Sequence, residues 1–155
     1  MKKYLSIIVF CILIVFSYSS QAKLEKGKWN FTKDVDYCYI GSIPQKIDLP
    51  EGKIRGDTYI LVYRINNSNE AIVQIDAGYL YKEGKDVIVK IDNSLYKFYV
   101  EADTAWTNDD KTVIYAMKKG IELHVIGESS RGTVTDDLYS LRGFTVAFNK
   151  LLSDC

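Results

Sequence analysis

Between residues 58 and 100 the chain alternates apolar and polar positions in short runs. In residues 58–65, Tyr59, Leu61, Tyr63 and Ile65 fall on one side and Ile60, Val62 and Arg64 on the other, which reads as a strand covered on both faces. Asn66, Asn67, Ser68 and Asn69 then turn the chain. Ala71, Val73, Ile75, Ala77, Tyr79 and Tyr81 alternate with Gln74, Asp76 and Gly78, the inside-outside pattern of a half-buried strand. A tight hairpin connection over residues 82–85, with Gly84 free to take a positive φ, leads to Val87, Val89 and Ile91. Asp92 and Asn93 turn again into a strand at 95–100. Four short strands joined in this way predict an antiparallel meander. Ahead of them, Trp29, Phe31 and residues 35–40 predict an opening extended segment, with Trp29 as a packing anchor. Gly41, Pro44, Pro50 and Gly52 punctuate an irregular connection.

Downstream the period changes. Asn108 as cap, Asp109 and Asp110 in a first turn, Lys118 and Lys119 in a last turn and Gly120 beyond predict a short helix near 109–119. Val113, Ile114, Tyr115 and Met117 also fit a strand. Ile121, Leu123 and Val125 predict a strand, and residues 127–137 a polar loop. From Ser140 onward Leu141, Phe144, Phe148, Leu151 and Leu152 recur at three- and four-residue spacing, predicting a C-terminal helix near 140–152 whose apolar face must find a sheet. The expected fold is mainly β, an antiparallel β-sandwich-like single domain with these two helices.

Residues 1–22 change the picture of where the domain works. Lys2 and Lys3 precede an apolar run at 5–16, and Ser20-Gln21-Ala22 offers small residues where a signal peptidase cleaves. The apolar run falls short of the roughly 20 residues that span a bilayer, so a cleaved signal peptide and no stable membrane insertion afterwards are expected. Residues 23–155 then form one domain. Loss of Lys2 and Lys3 takes Lys and Arg from 20 to 18 against 20 Asp and Glu, which gives no reason to expect a nucleic-acid partner. Of three Cys, Cys11 leaves with the signal. Cys38 and Cys155 remain in an oxidising compartment and predict a disulfide, within one chain or, through the terminal Cys155, between two.

Candidate chemistry is sparse. His124 is the only His, among apolar neighbours, with no second His or free Cys to complete a metal set. Ser129 or Ser130 with His124 and Asp136 or Asp137 are the residues a hydrolase would use, but no nucleophile-elbow spacing accompanies them. The acidic pairs lack the spacing of a calcium loop, and residues 127–132 do not continue into a phosphate-binding Lys-Ser/Thr. Arg55-Gly56-Asp57 is the tripeptide integrins recognise, and Gly56 is equally a turn residue ahead of a strand. No cofactor, metal or catalytic residue is assigned. The favoured binding surface is the polar loop around Trp106, with Asp103, Asp109 and Asp110 beside it.

Several of these features together resemble the invasion-associated locus B family of exported bacterial proteins over most of the domain. They are the signal peptide, Gly27-Lys28-Trp29 followed by Cys38, the strand at 59–65, Val87-Ile88-Val89-Lys90-Ile91-Asp92-Asn93, the Lys119-Gly120 step, and the ending at 139–148 with Ser140-Leu141-Arg142-Gly143-Phe144. The resemblance implies a β-sandwich-like domain, a periplasmic or outer-envelope location, an association with host-cell entry and no catalytic residues. It also implies a further Cys pair ahead of the short helix, and residues 102–112 contain none. The reading is an exported, non-enzymatic envelope domain that binds a protein or envelope component or lends structural support. The alternatives are a host-facing invasion factor and a small periplasmic hydrolase.

Overall fold

The structure is a computed structural model that describes residues 23–66 and 68–155. The expected signal peptide at 1–22 lies outside the described residues. The sequence alternation produces ten strands: β1 (Asn30–Lys33), β2 (Tyr37–Ser42), β3 (Lys46–Asp48), β4 (Tyr59–Ile65), β5 (Ile72–Asp76), β6 (Val87–Ile91), β7 (Ser94–Glu101), β8 (Thr104–Trp106), β9 (Glu122–Glu128) and β10 (Val134–Ser140). Two helices, α1 (Asp110–Lys119) and α2 (Phe144–Asp154), complete the domain. The strands form one antiparallel sheet in the order β1-β2-β4-β5-β8-β7-β6-β9-β10-β3.

The expected mainly antiparallel β domain with two helices is what forms, and its layers are two halves of one curled sheet. β7 joins them. Its first part, through Phe98, pairs with β6, and Tyr99, Val100 and Glu101 pair with β8. Inward-facing Ile40, Ile60, Val62, Val73 and Ile75 from one half meet Val87, Val89, Leu123, Val125 and Tyr139 from the other in a single core. The expected meander is interrupted at one place. β5 pairs with β4 and β8 rather than with β6, so the tight turn around Gly84 carries the chain across to the other half instead of closing a hairpin.

Both helices close the concave side. In α1, Val113, Ile114 and Met117 are buried, which settles this segment as a helix rather than a strand. Its cap is Asp109, not Asn108. The Asp109 carboxylate accepts the Thr112 N–H at 3.1 Å, which satisfies one of the free amides of the first turn. α2 begins four residues later than the periodicity suggests. Ser140 is still paired with Glu122 in β10, and Gly143 adopts a φ of +83°, a left-handed turn that no helix interior contains. Phe144, Phe148 and Leu151 then bury their side chains, and Trp29 meets Phe144 edge-to-face at 4.8 Å while its indole N–H donates to the Ser140 carbonyl.

The end of α2 is held from the sheet. Its last turn has no basic residue of its own. Arg64 on β4 instead donates from Nη1 to the Leu151 and Leu152 carbonyls at 3.3 and 3.2 Å, and Lys33 donates to the Asp154 carbonyl at 2.9 Å. These cations sit where the helix dipole is negative. Cys155 forms an intramolecular disulfide with Cys38 of β2, with Cα atoms 5.7 Å apart across a separation of 117 residues. Among the described residues no helix is long and apolar enough to cross a membrane.

Candidate functional site

The residues expected to form one polar loop around Trp106 do not form one. Thr104, Ala105 and Trp106 are strand β8, with Ala105 buried and its neighbours turned outward. Trp106 lies opposite Gln74 of β5 and Tyr99 of β7. Asp109 is occupied as the α1 cap, and the Thr112 side chain, together with the Thr112 amide, holds its carboxyl below the usual carboxylate range. Asp110 accepts the Val73 N–H at 2.8 Å and so ties α1 to β5, while burial raises its carboxyl above the ordinary value. Asp103 stays exposed, within 3.3 Å of the Thr104 hydroxyl. Of the four, only Trp106 belongs to an extended surface.

That surface is the convex face of the β1-to-β8 half. Because side chains alternate across a strand, the inward positions Ile60 and Val62 leave Tyr59, Leu61, Tyr63 and Ile65 on the outside. Pairing register then sets Tyr99, Trp106, Gln74 and Leu61 in one cross-strand row and Tyr63 beside Tyr39 in the next, with Tyr37 opposite Ile65. The Tyr37 and Tyr39 rings stack at 6.0 Å. A shallow depression of about 470 Å3, lined by Asp36, Tyr37, Leu61, Tyr63, Ile65 and Gln74, lies on this face beside Trp106. Tyr37, Tyr99 and Ile65 are exposed; Trp106 is half-buried, its indole N–H turned away from solvent with no partner among the described residues. Tyr59 donates to Asp76 at 3.1 Å, and burial together with that carboxylate pushes its phenol up to about 12, so it remains a neutral donor at physiological pH.

A second cluster lies inside the other half. In β10 the inward positions are Thr135, Asp137 and Tyr139 and the outward ones include Val134, which is 56% exposed. The Asp137 side chain is 2% exposed and accepts from Arg55 Nη2 at 2.6 Å, the Arg55 side chain being 4% exposed. Burial raises the Asp137 carboxyl above its usual value against the opposing pull of Arg55. Around the pair, the Tyr139 hydroxyl is 3.3 Å from that of Thr58 and the Tyr79 hydroxyl 2.7 Å from that of Thr135. Arg55 Nε and Nη1, Asp137 Oδ1 and the Tyr81 hydroxyl have no partner among the described residues. With its guanidinium turned inward, Arg55 is not presented as part of an exposed Arg-Gly-Asp motif.

The hydrolase candidates separate. His124 and Asp136 meet on the outer face, Nδ1 to Oδ1 at 2.8 Å. Ser129, just past the end of β9, instead accepts the Thr133 N–H at 3.1 Å and closes the β9–β10 turn, five positions from His124 and so roughly 16 Å away at strand rise. Ser130 lies one position farther, its amide bonded to the Leu80 carbonyl. Among the described residues no group of three or more His, Cys, Asp or Glu side chains is arranged to hold a metal ion.

Comparison with solved structures yields a clear likeness. The fold is similar to that of invasion associated protein B from Bartonella henselae. The TM-score is 0.59 at 14% sequence identity, over 83% of this chain and 94% of that one. No protein-family profile and no curated protein matches the sequence. At this identity the likeness concerns the fold, and it extends over nearly all of invasion associated protein B.

Sequence reasoning missed both clusters for definable reasons. The aromatic face was visible as Tyr59, Tyr63, Tyr37 and Tyr39, but a strand apolar on both sides reads as doubly covered, and only the register shows that its outer side stays half-exposed, with Leu24 packed over Gly41 and Leu61. The Arg55–Asp137 pair joins positions 82 residues apart, with Asp137 in a stretch polar enough to pass for a loop. The available signal was the alternation of Thr135, Asp137 and Tyr139.

Proposed function

We propose that this chain is an exported domain of the bacterial envelope that acts by binding, and that the convex aromatic face centred on Trp106 is its contact surface. The outward aromatic face carries the proposal. Scattered surface apolar residues are ordinary, but a contiguous sheet face holding Trp106, Tyr99, Tyr63, Tyr39 and Tyr37 is a feature of interaction sites. Aromatic rings offer large rigid area at low entropic cost, and their hydroxyls with Gln74 supply polar handles. Export is supported by the Cys38–Cys155 bridge, since such bonds persist in oxidising compartments, and by the basic, apolar and small-residue pattern of residues 1–22. A non-enzymatic role is supported by the separation of Ser129 from the His124–Asp136 pair.

The test has two parts. Expressed in full in a bacterial host, the protein is expected in the periplasmic fraction with Lys23 as its first residue; a cytosolic product with an intact leader overturns export. Titration of the mature protein with soluble peptidoglycan fragments and with lipopolysaccharide is expected to change tryptophan fluorescence saturably with at least one of them. Trp106→Ala should keep the melting temperature within a few degrees and weaken that binding about tenfold, or about 1.4 kcal/mol. Equal affinity in the variant removes the face. A host-facing version of the role rests on the name of the Bartonella henselae fold neighbour, and protease added to intact cells separates it from a periplasmic one.

A further inference from the structure

A pocket of about 290 Å3 opens at the Arg55 end of the domain, between the segment leading into β4, the corner at Gly78 and the β9–β10 turn. Its wall is chemically one-sided. Lys53, Arg55 and Arg131 line it, and no Asp or Glu does, in a chain whose 20 basic residues balance 20 acidic ones. Among the described residues Lys53 and Arg131 enter no ion pair. Ser130 and Thr133 also line this pocket, and their hydroxyls make no hydrogen bond among the described residues. Arg55 engages Asp137 through Nη2 alone, leaving Nε and Nη1 idle in a side chain that is almost wholly buried. Buried donors without acceptors are costly, and a cationic wall around them favours an acceptor that is also an anion.

We propose that this pocket binds a small molecule through an oxyanion group, phosphate or carboxylate. Arg131 and Lys53 meet the anion at the mouth, the Ser130 and Thr133 hydroxyls donate to its oxygens, and Arg55 supplies charge from behind. Leu49, Ile54, Leu80 and the Tyr79 ring provide an apolar wall for the remainder of the ligand. The volume sits at the small end of ligand sites, which limits the occupant to the size of a sugar phosphate or a short dicarboxylate. Asp137 does not line the pocket; it holds Arg55 in place and offsets one of the three positive charges, so the wall keeps a net positive character. The site is on the inner side of the β6-to-β10 half and is independent of the aromatic face.

Amide chemical shifts of the mature protein test the assignment, during titrations with inorganic phosphate, glucose 1-phosphate and succinate at constant ionic strength, with chloride as control. Saturable shifts at residues 129–133 and 53–55, with half-saturation below about 1 mM for one of the three oxyanions and none for chloride, are expected. The probe that saturates identifies phosphate or carboxylate as the recognised group. The exposed pair Lys53→Gln and Arg131→Gln should together weaken that binding at least tenfold while leaving the rest of the spectrum unchanged. Absence of a saturable shift with all three probes, or unchanged affinity in the double variant, overturns the proposal.

Discussion

Arg64 and Arg55 both turn toward the inside of the curled sheet, one in each half, and they are used differently. Arg64 donates to three backbone carbonyls, those of Leu151, Leu152 and Ser68, and so finishes the C-terminus of α2, with only its Nε left without a partner among the described residues. Arg55 donates to one carboxylate and leaves two donors unused beside a pocket. The first region is reinforced by the Cys38–Cys155 bridge and by Lys33, whereas the second depends on a buried ion pair whose desolvation cost is only partly recovered. The contrast teaches that burial of an arginine does not by itself mark a site. A guanidinium whose two amino groups meet fixed backbone acceptors is part of the scaffold, and one with two spare donors beside a carboxylate-free pocket is poised for a ligand.

The largest expected effect breaks the scaffold side. Cys38→Ser with Cys155→Ser removes a cross-link closing a loop of more than one hundred residues, and the chain-entropy model gives a loss of about 4–5 kcal/mol. Denaturant unfolding of oxidised and variant protein measures it, and equal midpoints would mean that α2 is held by packing and Arg64 alone. Next, Asp137→Ala strands the buried Arg55 charge and should cost about 3–5 kcal/mol in the same assay. A loss below about 1 kcal/mol would show that the pair is hydrated and relaxed. Arg64→Ala is the mildest, about 1–3 kcal/mol, because the α2 carbonyls it leaves can turn to solvent; Arg64→Lys should recover part of that loss.

The pH dependence sharpens the same contrast. Because burial raises the Asp137 carboxyl, the folded state binds this proton more tightly than the unfolded state does. Its contribution to stability therefore declines as pH rises from the unfolded value near 3.8 through the higher folded one, opposite in sign to a salt-bridged surface carboxylate. Unfolding free energies of wild type and Asp137→Asn across this range should diverge in slope, the wild type losing stability relative to the variant as pH increases. Parallel curves would place the folded carboxyl at its ordinary value.

Much of the fold was legible in local pattern. The strand at 59–65, the strand at 87–91, the short helix and the burial of Trp29 follow from alternation, capping residues and helical spacing, which depend on neighbours in sequence. The β9–β10 hairpin was not legible, because its second strand buries Thr135 and Asp137 and exposes Val134, the reverse of the usual pattern. Arg55, 82 residues from Asp137, and the Tyr79 hydroxyl on Thr135 make that register tolerable. The start of α2 was also misplaced, since Leu141 is buried ahead of the helix and so extends the apparent helical spacing.

What the chain determined by itself is a β-rich domain with two helices and a pair of cysteines able to bridge, because period, caps and turn residues act within a few positions. Tertiary structure alone decided that Trp106 belongs to an outward aromatic face rather than an acidic loop, and that Arg55 points inward rather than out. Both outcomes depend on which strands become neighbours when β7 crosses between the two halves, and that choice is made by long-range burial, which no local pattern encodes.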